Sequence, residues 1–354
     1  MSMTLVKTIL VIRSSAMGDI VMASPLIKGL KRMYPETRLL WLVEPQFAPL
    51  LHANPDVNGL LIFNKTKWKT LAKQGKLIAL TREILALRSA MKEESIDLAL
   101  DVQGLLRSRF LAWLSGASTR IGFLSKEPGR FFMTKVVPKG GDSSRMGSEY
   151  CHLLELLGNA RVECRPELLI SSDDEQIALE KLAEAGVRQP CIAIAPFTTR
   201  PQKHWFDSRW QELASEVVRS LGMKLVILGG PADREHAHAI SSTSMCEGVV
   251  NLAGQLSLMQ SAAVIKHASM LIGVDTGLTH MGSAFGIPTI ALFGATCPYT
   301  KTASPNTVVL YHKHPCSPCR RSPSCDGRFD CMQAISVAEV MQVATRLLSP
   351  EDRQ

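Results

Sequence analysis

The segment from Ala268 to Gly294 constrains the fold more than any other part of the chain. Met270–Val274 and Thr289–Phe293 are short apolar runs, and each predicts a buried strand. Between them lie a polar turn, Asp275–Gly277, and a run of small residues typical of a closely packed helix. The pattern predicts a β–α–β unit whose polar turn stands at the carboxyl end of a strand, where open α/β sheets bind ligands.

This turn suits a phosphorylated sugar. Free N–H groups at the start of a helix, together with the helix dipole, favour an anionic group such as a phosphate. A carboxylate beside a phosphate would repel it, so we expect Asp275 to bind a sugar hydroxyl instead.

The composition indicates a globular protein with two domains. The chain has 354 residues, of which 46% are hydrophobic and 20% charged, enough for two cores. No apolar stretch reaches the roughly 18–20 residues of a membrane span, and Met1–Ile12 lacks a small-residue cleavage site. We therefore expect a cytoplasmic protein. Its net charge of +8 predicts an anionic partner: nucleic acid, an acidic membrane surface or an acidic substrate.

The nine cysteines of such a chain are expected to be mostly reduced. Five are scattered and predicted to be small packing residues: Cys151, Cys164, Cys191, Cys246 and Cys297. The other four are clustered: Cys316, Cys319, Cys325 and Cys331. Thiolates hold zinc and iron–sulfur clusters, but this spacing is not one of the regular zinc patterns. A metal site and a structural or redox-sensitive loop both stay open.

A second polar turn follows the first predicted strand. Thr8–Arg13 is rich in strand-forming residues, Ser14–Asp19 forms a turn, and a helix is predicted from Ile20 to about Met33. A single glycine here does not make a dinucleotide fingerprint. Asp19 is either an N-cap, worth about 1 kcal/mol, or a general base at the end of a strand. One residue can serve both purposes.

Residues 65–88 form a basic, partly amphipathic segment with one tryptophan. Its basic residues are Lys65, Lys67, Lys69, Lys73, Lys76, Arg82 and Arg88. Such a pattern usually indicates a solvated helix face, and the alternative is a surface for anionic lipid or phosphorylated glycolipid. Further on, Arg107, Arg109 and Arg120 follow the strand-end turn at residues 101–104 and suit carboxylate or phosphate recognition.

Polar turns also follow two predicted strands in the second half of the chain. After the strand that begins at Cys191 come two hydroxyls and a lysine that could bind a diphosphate. These residues are Thr198, Thr199 and Lys203. After the next strand, the paired glycines Gly229–Gly230 allow close approach of a ligand, and a nearby acid, Asp233 or Glu235, could accept ribose hydroxyls. A simple tight turn is the alternative there.

Together and in this order, these motifs resemble glycosyltransferase family 9, the lipopolysaccharide heptosyltransferases, over essentially the whole chain. The matching stretches are Arg13–Asp19, Phe197–Thr199, Lys203–Trp205, Asp275–His280 and Phe293–Thr296. The resemblance implies an α/β fold of the GT-B type, with two Rossmann-like domains facing across a cleft. Residues 1–168 would bind the acceptor and residues 169–354 the nucleotide sugar, and the terminal helix would be free to cross back to the first domain.

The resemblance further implies inverting transfer of L-glycero-D-manno-heptose from ADP-heptose. The acceptor would be the inner core of lipopolysaccharide, Kdo-lipid A or heptosylated Kdo-lipid A, at the surface of the inner membrane. No cofactor and no nucleic acid partner are expected. Two alternatives stay open: another GT-B enzyme, such as a nucleotide-sugar epimerase, and a non-catalytic sugar-nucleotide-binding protein.

The family pattern also implies roles for particular residues. Asp19 would be the general base, because inversion by one displacement needs a base and no protein nucleophile. The donor would be bound by Thr198, Thr199, Lys203, Gly230, Asp233, Asp275, Thr276, Gly277 and His280, with Glu235 an alternative to Asp233 at the ribose. The acceptor would be bound by Ser15, Gly18, Lys67, Arg107 and Arg120. No Asp-x-Asp motif occurs, so Lys203 and the N–H groups of Thr276 and Gly277 would stabilise the departing ADP without a divalent ion.

Overall fold

The computed structural model describes residues 6–159, 164–188, 190–243, 247–296, 299–302, 304–319 and 321–349. Its contacts divide the chain into two compact units. The first comprises Met1–Asp142 and Gly147–Cys164, and the second comprises Ser143–Met146 and Arg165–Gln354. The chain passes from the first unit to the second between Cys164 and Arg165. The acceptor and donor domains expected at residues 1–168 and 169–354 stay a prediction.

The first unit is built on one parallel sheet. Its strands are β1 (Thr8–Ile12), β2 (Arg38–Val43), β3 (Gly59–Ile62), β4 (Leu98–Asp101), β5 (Thr119–Phe123) and β6 (Lys135–Val137). They lie in the order β3–β2–β1–β4–β5–β6, and β1 pairs with both β2 and β4. The central strands β1 and β4 are buried along their whole length, as expected of a parallel sheet covered on both faces.

Within the described residues, seven α-helices accompany this sheet. They are α1 (Met17–Ala23), α2 (Pro25–Met33), α3 (Pro49–His52), α4 (Lys65–Lys73), α5 (Leu77–Glu93), α6 (Leu106–Leu114) and α7 (Ser148–Leu157). The single helix predicted from Ile20 to about Met33 is divided in two, because Pro25 has no N–H with which to continue the first helix. The helix also begins earlier than predicted, so Asp19 lies inside its first turn and Ala16 is the N-cap.

The second unit repeats the same topology. Its strands are β7 (Cys191–Ala195), β8 (Lys224–Ile227), β9 (Val249–Asn251), β10 (Met270–Val274), β11 (Thr289–Phe293) and β12 (Thr307–Tyr311). The order is β12–β11–β10–β7–β8–β9. In both units the first and fourth strands of the unit are neighbours at the centre of the sheet, which is the strand order of the Rossmann fold. Strands β10 and β11 have the bounds that the apolar runs predict.

The helices of the second unit are α8 (Ser172–Glu184), α9 (Asp207–Leu221), α10 (Arg234–Thr243), α11 (Leu258–His267), α12 (Gly277–Phe285), α13 (Asp330–Gln333) and α14 (Val337–Leu348). The terminal helix α14 packs against α9. Val340 and Ala344 of α14 join the same apolar core as Trp205 and Trp210, whose rings meet edge to face at 4.9 Å. The contacts therefore place α14 in the second unit. Among the described residues, no helix has the length and apolar character of a membrane span.

The structure corrects one expectation about the cysteines. Cys151 of α7 and Cys164 are joined in a disulfide within the first unit, whereas the sequence treats them as separate packing residues. Cys191 is a buried free thiol as expected, and burial raises its pKa to about 11. Cys246 and Cys297 lie outside the described residues.

Gly273 in β10 allows α12 to lie close to the sheet. A Cβ at this position would be 2.3 Å from Thr279 Oγ1 and 3.1 Å from the Ala195 Cβ. The Thr279 hydroxyl cannot move away freely, because it donates a hydrogen bond to the Val274 carbonyl at 2.6 Å. We expect Gly273→Ala to lower the free energy of unfolding by about 1–3 kcal/mol, measured by urea denaturation.

Gly230→Ala is the matched control for this prediction. A Cβ at Gly230 would meet only Asp233 Oδ2, at 3.6 Å, so this variant should unfold at the urea concentration that unfolds the wild type. Equal midpoints for Gly273→Ala and the wild type would contradict the close packing of α12 on β10.

Candidate active site

In the second unit, the predicted donor residues lie where β7 and β10 end. These two strands are neighbours at the centre of the sheet, at the topological switch point where open α/β sheets bind ligands. Thr198, Thr199 and Lys203 follow β7, and Asp275 follows β10.

An ion pair connects the two loops. Lys203 Nζ lies 2.6 Å from Asp275 Oδ2, and the two side chains are only 15% and 13% exposed. Lys203 Nζ also donates to the main-chain carbonyl of Asp275 at 3.4 Å. On the other side of the carboxylate, His280 Nε2 lies 3.5 Å from Oδ1. Asp275 is thus held between a lysine and a histidine.

This environment keeps Asp275 ionised. Burial alone would raise the pKa of the carboxyl, but the hydrogen bond and charge of His280 and the ammonium of Lys203 outweigh burial and hold the pKa well below its ordinary value. An ionised carboxylate has several acceptor positions. It can therefore accept a hydrogen bond from a sugar hydroxyl while it remains paired with Lys203.

Helix α12 begins directly after this carboxylate. Thr276 is its N-cap, and no side chain of the described residues caps the first turn. The N–H groups of an uncapped first turn favour an anion. The N–H of Thr276 itself donates to the Val274 carbonyl at 2.7 Å, so this group does not face a ligand as the sequence predicts. Gly277 is the first residue of the helix.

His204 shapes the loop after β7, a role that sequence reasoning missed. Its Nε2 is 2.7 Å from the Thr198 carbonyl, to which it donates. A histidine in the stretch matching the family was the only sequence signal. Thr198 is half-buried and Thr199 is exposed.

The residues predicted at the ribose lie after β8. Asp233 Oδ2 accepts a hydrogen bond from the Gly230 N–H at 2.8 Å, which stabilises the tight turn that the sequence left as the alternative. Gly229 has to lack a side chain, because a Cβ there would lie 2.7 Å from the Phe197 ring. Glu235 is exposed on α10. A contact of Asp233 or Glu235 with ribose stays a prediction.

In the first unit, Asp19 follows β1, the central strand that has the same place in its sheet as β7 has in the second unit. Its Oδ2 accepts from the Ala16 N–H at 3.1 Å and lies 2.5 Å from Arg13 Nη2. Both contacts use the same oxygen, and the side chain is 37% exposed. The other oxygen, Oδ1, is therefore available to accept a proton. Asp19 is therefore not the N-cap that the sequence suggested, because Ala16 holds that position, but its carboxylate accepts from the N–H of the N-cap residue. This contact leaves Oδ1 for the role of a base.

Arg13 is a second residue whose role the sequence did not reveal. Its Nη1 donates to the Val102 carbonyl at 3.0 Å, which fixes the guanidinium beside the end of β4. Burial acts to lower the pKa of Arg13, but its interactions with Tyr150 and Asp19 raise the pKa above its ordinary value. Its position at the end of a predicted strand was the only sequence signal.

A polar cluster adjoins Arg13 at the ends of β1, β2 and β4. Gln103 Oε1 accepts from the N–H and the hydroxyl of Ser14, at 3.1 and 3.0 Å. Glu44 is buried, and its Oε1 lies 3.2 Å from Lys65 Nζ. Ser15 is half-buried in the turn and Gly18 is buried in α1.

The basic residues predicted to bind the acceptor each have contacts in the first unit. Lys67 Nζ lies 2.7 Å from Glu83 Oε1, and the Arg107 guanidinium lies 5.8 Å from the centre of the Phe63 ring. Arg120 donates to two main-chain carbonyls of its own unit. Arg109 is buried and donates to the loop at residues 123–128, so it organises that loop and is not exposed to an anion. Acceptor binding by the other three stays a prediction.

The four clustered cysteines lie after β12, with Cys331 in α13. Burial and the neighbouring thiols raise the pKa of Cys319 and of Cys331. Within the described part of the chain, no group of three or more His, Cys, Asp or Glu side chains is arranged to hold a metal ion. Ser317 and Cys319 donate to the carbonyls of Gly294 and Ala295, just after β11. These contacts give the loop a structural role.

Comparison with known proteins identifies the class. The chain aligns with a family 9 glycosyltransferase from Veillonella parvula with a TM-score of 0.81 at 23% identity, covering 97% of each chain. It aligns with E. coli ADP-heptose LPS heptosyltransferase II with a TM-score of 0.74 at 21% identity, covering 98% of this chain and 99% of the other. The chain therefore has the α/β fold of GT-B glycosyltransferases, as predicted.

The sequence comparisons define the family. The model of glycosyltransferase family 9 (heptosyltransferase) matches residues 84–328. Lipopolysaccharide heptosyltransferase 1 of Pseudomonas aeruginosa is 29% identical, over 88% of this chain and 85% of the relative. Lipopolysaccharide core heptosyltransferase OpsX of Haemophilus influenzae is 24% identical, over 87% and 86%. The chain belongs to glycosyltransferase family 9 and is a glycosyltransferase, which confirms the resemblance.

The lowered pKa of Asp275 makes stability depend on acid pH. The folded-state pKa lies below the unfolded value of roughly 3.9, so the stabilisation is complete at neutral pH and is lost as pH falls from about 5 towards the folded-state pKa. We expect Asp275→Asn to lack this part of the stability loss at acid pH. Between pH 6 and pH 3, its free energy of unfolding in urea should fall less than that of the wild type.

Asp173→Asn, which changes an exposed carboxylate at the start of α8, is the control and should follow the wild-type pH profile. If Asp275→Asn and the wild type lost stability in parallel between these pH values, the proposed electrostatic environment of Asp275 would be wrong.

Proposed function

We propose that this glycosyltransferase transfers L-glycero-D-manno-heptose from ADP-heptose to the inner core of lipopolysaccharide, with inversion at the anomeric carbon. The observation that carries the proposal is the largely buried Lys203–Asp275 pair at the ends of β7 and β10, in a chain of the heptosyltransferase family. Such a pair offers a cation for a diphosphate and an ionised carboxylate for sugar hydroxyls.

The donor would be bound as follows. Lys203 contacts Asp275, and α12 begins directly after Asp275, so the ammonium group and the first turn of the helix are close together. Both favour phosphate oxygens. As the bond between the anomeric carbon and ADP breaks, negative charge develops on the diphosphate, and the same groups stabilise it. Asp275 would hold heptose hydroxyls, with Thr198 and Thr199 contributing further hydroxyls from the loop after β7.

Asp19 would act as the general base. The oxygen of an acceptor hydroxyl attacks the anomeric carbon, the bond to ADP breaks, and the acceptor proton passes to Asp19 Oδ1. One displacement inverts the anomeric centre, so no nucleophile from the protein is needed. Arg13 would hold the carboxylate in place through Oδ2, its observed contact at 2.5 Å.

The acceptor would be an anionic glycolipid, Kdo-lipid A or heptosylated Kdo-lipid A, at the inner-membrane surface. The net charge of +8 supports an acidic acceptor. Relatives named for heptosyl transfer to the lipopolysaccharide core support the same class. Ser15, Gly18, Lys67, Arg107 and Arg120 are the proposed acceptor contacts.

The decisive experiment follows ADP release from ADP-heptose by the wild-type enzyme, with Kdo-lipid A, with heptosylated Kdo-lipid A and with neither. Release that depends on one acceptor would support heptosyl transfer and identify the acceptor. Binding of a uridine nucleotide sugar, with no acceptor requirement, would instead support an epimerase. Tight binding of ADP-heptose without any turnover would support a non-catalytic binding protein.

The Asp19→Asn variant should lose about 10²–10⁴-fold in kcat, because asparagine cannot take the acceptor proton. Its affinity for ADP-heptose, measured by calorimetry, should stay close to that of the wild type, because the base acts on the acceptor. Asp56→Asn, a carboxylate elsewhere in the first unit, is the control and should keep full activity. A wild-type turnover rate in Asp19→Asn would exclude Asp19 as the base.

A further inference from the structure

The helical hairpin formed by α4 and α5 carries an unusual concentration of positive charge. Residues 65–82 contain six basic side chains and no acidic one: Lys65, Lys67, Lys69, Lys73, Lys76 and Arg82. Two of these are paired, Lys65 with Glu44 and Lys67 with Glu83. The other four form no ion pair with any described residue, so their charge is directed to solvent.

Large aliphatic side chains are exposed on the same hairpin. Leu77, Ile78 and Leu85 are 65%, 74% and 57% exposed. Leu77 and Ile78 begin α5 directly after Lys76, and the whole turn at residues 74–78 is exposed. Leu85 follows Ile78 by seven residues, about two helical turns, so both lie on one side of α5 together with Arg82. Aliphatic groups and unpaired cations therefore alternate on one surface.

The hairpin packs on the core of the first unit through apolar side chains of both helices. Helix α4 has no fully buried residue, and Leu87 and Met91 are the buried residues of α5. Trp68 of α4 packs edge to face on Phe63 at 5.0 Å. Beside it, a cavity of about 280 Å³ opens between α4, α5 and the edge strand β3, and its walls are mostly apolar.

We propose that the α4–α5 hairpin is the surface with which this enzyme docks on an anionic phospholipid bilayer. The inference rests on the proposed function, because a lipid-linked acceptor requires the enzyme to work at a membrane. Exposed aliphatic groups enter the interface between headgroups and acyl chains, while neighbouring lysines and arginines meet anionic headgroups.

The composition of the surface favours a bilayer over a protein partner. Lysine is depleted in the cores of protein–protein interfaces, where aromatic residues and arginine are enriched. This surface has the opposite composition: three exposed lysines, Lys69, Lys73 and Lys76, precede the exposed Leu77 and Ile78. A fluid, uniformly anionic surface can satisfy scattered flexible ammonium groups without a matching set of fixed carboxylates.

The test is binding of the full chain to vesicles of phosphatidylcholine with about 30% phosphatidylglycerol, and to vesicles of pure phosphatidylcholine. We expect binding to the anionic vesicles that weakens with salt, and little binding to the neutral ones. The triple variant Lys69→Gln/Lys73→Gln/Lys76→Gln should bind roughly 100-fold more weakly, about fivefold for each lysine near the surface. Leu77→Ser/Ile78→Ser should bind at least about tenfold more weakly, because less apolar surface enters the bilayer.

Two matched controls carry the same changes elsewhere. Ile177→Ser/Leu179→Ser replaces side chains of α8 that are 40% and 39% exposed, and Lys135→Gln/Arg188→Gln/Lys313→Gln removes three exposed positive charges. Both should bind anionic vesicles more tightly than the hairpin variants do. Hairpin variants that bind like their controls would overturn the proposal. Failure of the wild type to bind anionic vesicles would also overturn it and would leave a protein as the occupant.

Transfer assays separate this inference from the proposed function. With a deacylated, water-soluble acceptor, the hairpin variants should transfer heptose at the wild-type rate, and only transfer to acceptor embedded in vesicles should fall. Loss of transfer to the soluble acceptor would place the substituted residues in the acceptor site beside Lys67 and overturn their docking role. If the wild type transfers heptose to neither acceptor, the proposed function fails, while vesicle binding still decides the role of the hairpin.

Discussion

The ion pair between Lys203 and Asp275 is the interaction on which the second unit's site depends. The parallel order of β7 and β10 brings the two loops together, and the pair then satisfies two charges that are almost out of water. Breaking such a pair from one side leaves an uncompensated buried charge, which is strongly destabilising. The pair also places a carboxylate at the positive end of α12 without excluding anions from that end, because Lys203 balances the charge of Asp275.

The first unit has the same strand order and a second cation–carboxylate pair, Arg13 with Asp19, after the corresponding strand. The two carboxylates differ in ways that suit different tasks. Asp275 is 13% exposed and contacted at both oxygens, whereas Asp19 is 37% exposed and contacted at one. An ionised carboxylate that is fixed by contacts at both oxygens is suited to binding hydroxyls. A carboxylate with one available oxygen is suited to taking a proton.

Local sequence was enough to predict the strands at residues 270–274 and 289–293 and the strand-end position of Asp275. It was not enough for features that tertiary structure decides. Lys203 and Asp275 are 72 residues apart, so only the sheet order shows that they meet. The guanidinium of Arg13, which contacts Asp19, is held by a hydrogen bond to the Val102 carbonyl, which is 89 residues away in the chain. The disulfide between Cys151 and Cys164 and the commitment of Arg109 to its own loop also depend on packing that no local pattern displays.

The most direct measurement of the donor site is ADP affinity by calorimetry for the wild type, Lys203→Met, Asp275→Asn and the double variant. We predict that Lys203→Met weakens ADP binding, because the unbalanced Asp275 carboxylate then repels the diphosphate. Adding Asp275→Asn to Lys203→Met should restore part of that affinity, with a coupling energy within the roughly 0.5–3 kcal/mol seen for contacting residues. Wild-type affinity in Lys203→Met, or no recovery in the double variant, would contradict a diphosphate site built on this pair.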